Sequence, residues 1–276
     1  MMLRRLSETV WLDETEQVES QSLNQMVLNE VHRRLGARRK HTDGTIRIVE
    51  IGCGLGANRR RLSARMAAPQ HWRMIDFDPE IIAAFRKRFR TDNDPSTDLV
   101  LLDDNSYAVA NSLLDGADLL ILSGRSTVLP VAALQQFLTA AKAMEIAVWA
   151  VLQPTGYVKF EPVSPDDQKV HQMTVPAGPD PASHLVRLLE ETGYRVLKGE
   201  SDWVVRGEND SFWHSKGRAL QRHFLQRYLG QARRNHPDQA AGLLAWANKR
   251  SVLIERKKTV LTVGHTDIFA IPEQRE

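Results

Sequence analysis

Glu50-Ile51-Gly52-Cys53-Gly54-Leu55-Gly56 follows directly on the apolar run Ile46-Arg47-Ile48-Val49. A strand that runs into three alternating glycines has the outline of a nucleotide-binding turn. Glycine has no Cβ, so the backbone can turn sharply and a ligand can come close to its N–H groups. The glycines alone do not choose the nucleotide, because such turns serve several dinucleotides and sulfonium nucleosides alike. Two details narrow the choice. The spacing is G-x-G-x-G where a dinucleotide fingerprint has G-x-G-x-x-G, and a carboxylate, Glu50, stands two residues before the first glycine. A carboxylate there suits a ligand with an ammonium group and is misplaced beside a pyrophosphate, which wants N–H donors and positive potential. No Gly-Lys-Ser/Thr follows, which excludes a P-loop.

A second signal is Met74-Ile75-Asp76-Phe77-Asp78-Pro79, which puts a carboxylate at the end of the next strand, about 20 residues after the glycines, where an acid can take two ribose hydroxyls. Asp76 is assigned that role, and Asp78, just before Pro79, reads as a helix N-cap. The third is Leu102-Asp103-Asp104-Asn105. A side-chain oxygen there fits an adenine amino group, and an acidic helix start fits equally well.

The elements that would position these residues alternate along the chain. An amphipathic helix is predicted over 16–38, with Leu23, Met26, Val27, Val31 and Leu35 at helical spacing. Strands are then predicted over 45–51, 71–76, 98–102, 117–122 and 146–152, and helices over 57–66, 79–90, 106–114 and 131–143. Short, continuously apolar strands alternating with helices indicate a parallel sheet covered on both faces. Residues 153–181 are rich in Pro, Gly and polar types and read as a long loop of the lid or substrate kind. A helix over 183–192, a strand from Tyr194, two basic amphipathic helices over 216–234 and 239–257, and a strand-like segment over 259–271 complete the chain. No internal repeat is visible.

The chain has 276 residues, 42% of them hydrophobic and 26% charged, which is ordinary for a globular protein with a sizeable core. Its net charge of +3 permits an anionic partner without demanding one. The single cysteine, Cys53, rules out an intramolecular disulfide and a cysteine-built metal site. Arg4 and Arg5 have no apolar segment behind them, and no window approaches the length of a membrane span, so a cytoplasmic protein is expected.

Val49-Glu50-Ile51-Gly52-Cys53-Gly54-Leu55-Gly56, Ile75-Asp76-Phe77-Asp78-Pro79 and Leu102-Asp103-Asp104, in that order, resemble the class I S-adenosylmethionine-dependent methyltransferases. The likeness covers about 45–152 and returns at 259–271. It implies one methyltransferase domain over 1–276: a helical extension at 1–43, a Rossmann-like core at 44–205 and 258–272, and a helical insertion at 210–257. The implied core is a doubly wound, mostly parallel seven-stranded sheet with helices on both faces and an antiparallel last strand. The resemblance further implies that S-adenosylmethionine is held by Glu50 and the Gly52–Gly56 backbone at its methionine end, by Asp76 at the ribose and by Asp103 or Asp104 at the adenine, with Ile51, Cys53, Phe77 and Ser123 also among the cofactor-binding residues. Ser123, just past the fourth strand, would stand at the mouth of the substrate pocket. The segments Gly193-Tyr194-Arg195-Val196, Ser201-Asp202-Trp203, Trp246 and Val263-Gly264-His265-Thr266-Asp267-Ile268 are similar to a bacterial branch of these enzymes, as is His171-Gln172. The helical pair before the last strand departs from the wider family.

Methyl transfer from a sulfonium is an in-line displacement, so alignment, desolvation and at times removal of a proton are the tasks left to the protein. No catalytic residue is assigned. His171 suits a pocket wall or an exposed loop, His265 suits a structural hydrogen bond, and Tyr157 and Trp203 suit an apolar pocket or a core. His171, Tyr157 and Trp203 are the substrate-binding candidates. Cys53 lies inside the turn, which excludes a cysteine-nucleophile mechanism of base methylation, and no Asn/Asp-Pro-Pro-aromatic motif is present. No residues have metal-ligand spacing. Arg218, Arg222, Arg227, Arg233 and Arg234 share their segment with Leu220, Phe224, Tyr228 and Leu229, a pattern that a half-buried helix explains without RNA. A small-molecule acceptor is therefore preferred over RNA or protein, with a non-catalytic cofactor-binding protein as a further alternative.

Overall fold

The computed structural model describes residues 8–37, 43–89, 94–102, 110–124, 129–175, 178–207, 212–256 and 258–273. Two helices, α1 (Glu8–Ser22) and α2 (Gln25–Ala37), precede a run of alternating elements. These are β1 (Ile46–Ile51), α3 (Ala57–Ser63), β2 (Gln70–Asp76), α4 (Pro79–Phe89), β3 (Thr97–Leu101), α5 (Ala110–Leu114), β4 (Leu119–Leu122), α6 (Val131–Ala143) and β5 (Ala147–Glu161). Then come α7 (Asp166–Thr174), α8 (Pro181–Glu191), β6 (Tyr194–Glu200), β7 (Trp203–Arg206), α9 (Phe212–Asn235), α10 (Ala240–Glu255) and β8 (Val260–Pro272).

By contact density the described chain falls into two units. Unit 2 comprises Leu23–Thr155, Pro181–Ser201 and the described part of Thr266–Glu276. Its strands run in the order β3-β2-β1-β4-β5-β8-β6, parallel from β3 through β5, with β8 antiparallel to β6. This mixed α/β sheet with an antiparallel final strand is the architecture expected from the sequence. The reason is visible in β4, where all four residues are buried. Leu120 and Leu122 join Val49, Ile51, Val148 and Ala150 in one core cluster with Phe137 and Leu138 of α6 and Leu185, Leu188 and Leu189 of α8. The alternate residues Ile48, Leu119, Ile121 and Trp149 are equally buried on the other face.

Unit 1 comprises the described parts of Met1–Ser22, Gly156–Asp180 and Asp202–His265. It contains an eighth strand that the sequence reading lacked. β7 pairs antiparallel with the start of β8, Trp203 opposite Val263 and Arg206 opposite Val260. Four residues alternating buried and exposed are too short a pattern to stand out.

Two further segments differ from expectation. Residues 153–181 are not one loop: β5 continues to Glu161, and α7 follows after a short connection. Pro154 and Gly156 read as breakers, yet Phe160 is buried edge-on against Tyr228 and Trp246 at 5.9 and 5.5 Å, and this packing holds the strand. The helix expected over 16–38 is broken at Asn24. Its Oδ1 accepts from the Val27 N–H at 3.1 Å, starting α2 afresh. Its own N–H donates to Asp267 on β8 at 2.8 Å, and its amide nitrogen to the Glu200 carbonyl.

No described helix is long and apolar enough to cross a membrane. Among the described residues no three His, Cys, Asp or Glu side chains could hold a metal ion.

Candidate functional site

The turn between β1 and α3 is built on backbone that only glycine adopts without strain. Gly52, Gly54 and Gly56 have φ of 73, 54 and 72°. Gly56 also has no room for a side chain, since a Cβ would meet Phe89 at 2.7 Å and Phe85 at 2.8 Å. The glycine pattern thus serves conformation and close packing at once.

Four N–H groups of the turn are bonded within the protein. Those of Gly52 and Cys53 donate to the Ile75 carbonyl at 2.9 and 3.0 Å, that of Gly54 to Asp76 Oδ2 at 2.9 Å, and that of Gly56 to the Cys53 carbonyl at 2.9 Å. A phosphate cradle needs such donors pointing at the ligand. The arrangement instead supports a ligand recognised by acceptors.

Glu50 supplies an acceptor. It lies in β1 beside Met74 of β2 and Ile121 of β4, and only 1% of it is exposed. Oε1 accepts from the amide of Asn58, in the first turn of α3, at 2.9 Å. Among the described residues, buried Oε2 has no hydrogen-bond partner. Asn58 is buried too, and its own oxygen accepts from Arg61 at 2.9 Å. Burial pushes the Glu50 carboxyl up to about 8, against the pull of the Asn58 bond and of Arg61, and with a further push from the nearby Asp76 charge.

Asp76 is as deeply buried but fully engaged. Oδ2 holds the Gly54 N–H, and Oδ1 holds those of Phe77 at 2.8 Å and Asp78 at 3.2 Å. It therefore clamps the glycine turn to the end of β2, a task the sequence reading did not give it. Asp78 caps α4 as expected, its side chain accepting from Glu80 N at 2.9 Å. Phe77 is half-buried against the core cluster. Ile51 and Cys53 are buried within the turn region, with the Cys53 thiol 3.8 Å from the Gly54 carbonyl. Ser123 follows β4 and donates its hydroxyl to the Gly52 carbonyl, so it braces the same turn from the β4 side. Asp103 and Asp104 lie outside the described residues.

The structure thus brings Glu50, the three glycines, Asp76 and Ser123 together. Asn58 was missed, and its signal is modest: a polar residue four positions before Leu62, on the buried face of α3. Gln153 was missed as well. It is buried at the end of the parallel part of β5 and donates to the carbonyls of Leu122 and Val151, both at 3.1 Å.

The substrate candidates Tyr157, His171 and Trp203 all belong to unit 1. Tyr157 is exposed. His171 lies on α7, with Nδ1 2.8 Å from the Tyr228 hydroxyl of α9, and burial lowers its pKa. Trp203 is buried, stacked on His265 with ring centroids 4.7 Å apart. His265 has Nδ1 3.0 Å from the Val263 carbonyl, the structural bond expected for it, and burial lowers its pKa to about 4. Nearby in the same unit, Asp167 of α7 pairs with the buried Arg250 of α10 and accepts from the Trp246 indole at 2.9 Å.

No family model and no curated protein matches the chain. Among solved structures, it is similar to an S-adenosylmethionine-dependent methyltransferase from Thiobacillus denitrificans in complex with S-adenosylhomocysteine, at 13% identity and a TM-score of 0.48, over 98% of this chain and 100% of that one. It is similar to YjhP from E. coli at 14% identity and a TM-score of 0.46, over 96% of this chain and 99% of that one. It also matches the Haemonchus contortus phosphoethanolamine N-methyltransferase 2 at 10% identity and a TM-score of 0.41, over 98% of this chain and 61% of that one. Likenesses this loose carry no argument about ligand or reaction, which rest on the residues themselves.

Proposed function

We propose that this protein is an S-adenosylmethionine-dependent methyltransferase that acts on a small-molecule acceptor in the cytoplasm. The observation that carries the reading is Glu50: a buried carboxyl with one oxygen unpartnered among the described residues, beside a glycine turn in which the Gly52, Cys53, Gly54 and Gly56 N–H groups are already bonded. A ligand that brings a donor fits such a place, and a ligand that brings phosphate does not. S-adenosylmethionine carries an ammonium group, and when bound it supplies an electrophilic methyl on sulfur. Glu50 would hold the ammonium, with Asn58 fixing the carboxyl plane. Asp76, at the end of β2, would meet the ribose hydroxyls at the expense of one of its backbone bonds. Asp103 or Asp104 would take the adenine.

A nucleic-acid acceptor is disfavoured by the state of the basic helices. Arg222 pairs with Glu255 at 2.6 Å and Arg227 with Glu8 at 2.9 Å. Arg250 is held by Asp167. Paired guanidinium groups make a poor phosphate track.

Calorimetry with S-adenosylmethionine and S-adenosylhomocysteine tests the proposal, and failure of the wild-type protein to bind either would overturn it. Asp76→Ala should bind far more weakly, since the ribose acceptor and the clamp on Gly54 go together. Undiminished binding by that variant would remove Asp76 from the site. Retention on RNA that falls steeply with salt would transfer the acceptor to nucleic acid.

A further inference from the structure

The two acids of the turn sit in opposite surroundings. Asp76 accepts three backbone N–H groups. Glu50, one strand away and equally buried, has one amide donor on Oε1 and, among the described residues, none on Oε2. A lone carboxylate oxygen without donor or water is among the costliest groups to bury.

The other charged groups that bear on Glu50 do not reverse this. Arg60 and Arg61 of α3 favour its charge, but Arg60 is drawn to the Leu55 carbonyl at 2.6 Å and Arg61 donates to Asn58. Asp76, from β2, opposes it. β4 contributes only Ile121 opposite Glu50.

We propose that Glu50 is a neutral carboxylic acid in the ligand-free protein, and that docking of an ammonium-bearing ligand at Oε2 releases its proton to solvent. The O–H bond of the carboxyl breaks, the proton passes to water, and the ligand keeps its own positive charge opposite the new carboxylate. The inference rests on the cofactor reading above and adds a proton to the binding equilibrium. Its consequence is that the protein discriminates by charge: a ligand without the ammonium gives no reason to ionise Glu50. Affinity for the charged ligand should also fall as the solution becomes more acidic.

The experiment is calorimetry at pH 7 in buffers of different ionisation enthalpy, with two probes. S-adenosylhomocysteine carries the ammonium, and 5′-methylthioadenosine shares its nucleoside and lacks the amino-acid end. With the carboxyl at about 8, S-adenosylhomocysteine should release about 0.9 proton per site, and its affinity should rise about tenfold from pH 6 to pH 7 and level off above pH 8. 5′-Methylthioadenosine should bind with no buffer dependence, and Glu50→Gln should abolish the proton release by S-adenosylhomocysteine. Binding of S-adenosylhomocysteine to wild type without buffer dependence overturns the inference and leaves the cofactor site standing. Equal proton release by both probes, or by Glu50→Gln, assigns the proton to another group and also overturns it. No binding of either probe to wild type overturns the site and the inference together. If Glu50→Gln fails to fold, the contrast between the probes on wild type still decides.

Discussion

Replacing Glu50 by glutamine should make the ligand-free protein more stable, increasingly so with rising pH. Glutamine is the isostere of the neutral acid: its carbonyl can accept from Asn58 as Oε1 does, and it has no charge to bury. The folded-state pKa of Glu50 is raised, so its contribution to stability is fully present below its ordinary value of 4.5 and is lost as pH rises through about 8. Relative to glutamine, linkage gives a penalty of about 1 kcal/mol at pH 5, about 3 kcal/mol at pH 7 and about 5 kcal/mol at pH 9. The glutamine amide leaves its own N–H₂ unpartnered, but that offset does not change with pH. The slope is therefore the diagnostic quantity. Urea unfolding of both proteins at the three pH values measures it, with the m-values compared so that the difference reflects stability alone. Stability curves that run parallel from pH 5 to 9 would refute the reasoning, because Glu50 would then have the same proton affinity folded and unfolded.

Three other perturbations follow from the same geometry. His265 has its folded pKa depressed from 6.5 to about 4, so its contribution is present above 6.5 and is lost as pH falls through about 4. His265→Phe, which keeps a ring against Trp203, should make the pH dependence of unfolding between those values shallower by about 3 kcal/mol, and an unchanged slope would contradict this. Gly56→Ala must place a Cβ within 2.7 Å of Phe89 at a φ of +72°, and should lower stability by about 3 kcal/mol in denaturant unfolding, a result near zero being incompatible with the packing described. Asp167→Asn strands the buried Arg250 guanidinium and should cost about 3 to 5 kcal/mol by the same measurement; a loss under about 1 kcal/mol would mean that the pair is not desolvated as described.

The legible parts of this protein are those where local rules and tertiary structure agree. The β1–glycine–α3 turn, the acid ending β2 and the Asp78 cap were all readable because each needs particular residues at fixed short spacing. The central sheet was readable because β4 and the parallel part of β5 are buried on both faces and so are continuously apolar. What escaped notice depends on partners remote in sequence. β5 runs through Pro154 and Gly156 because Phe160 finds Tyr228 and Trp246, about 70 and 85 residues onward. α2 begins at Asn24 because Asp267, 243 residues away, holds its N–H. The clamp by Asp76 on the Gly54 N–H was equally hidden, since a sequence shows that an acid is present and not which lone pairs the fold already uses.

On the proposed cofactor reading, Glu50 also shows why a functional site is not the most stable arrangement of its own residues. A penalty of about 3 kcal/mol at pH 7 is a large share of the 5–15 kcal/mol by which a domain of this kind is stable. Any neutral side chain of similar shape would relieve it, and the fold supplies an easy alternative in the way it treats Asp76, with three donors for its two oxygens. Among the described residues Glu50 receives one donor, from Asn58, while Arg61 is held on the Asn58 oxygen. A guanidinium placed directly on Oε2 would have stabilised the free protein and closed the position to any incoming cation. Among the described residues Oε2 has no donor, and on the proposed reading an incoming ammonium group supplies the one it lacks.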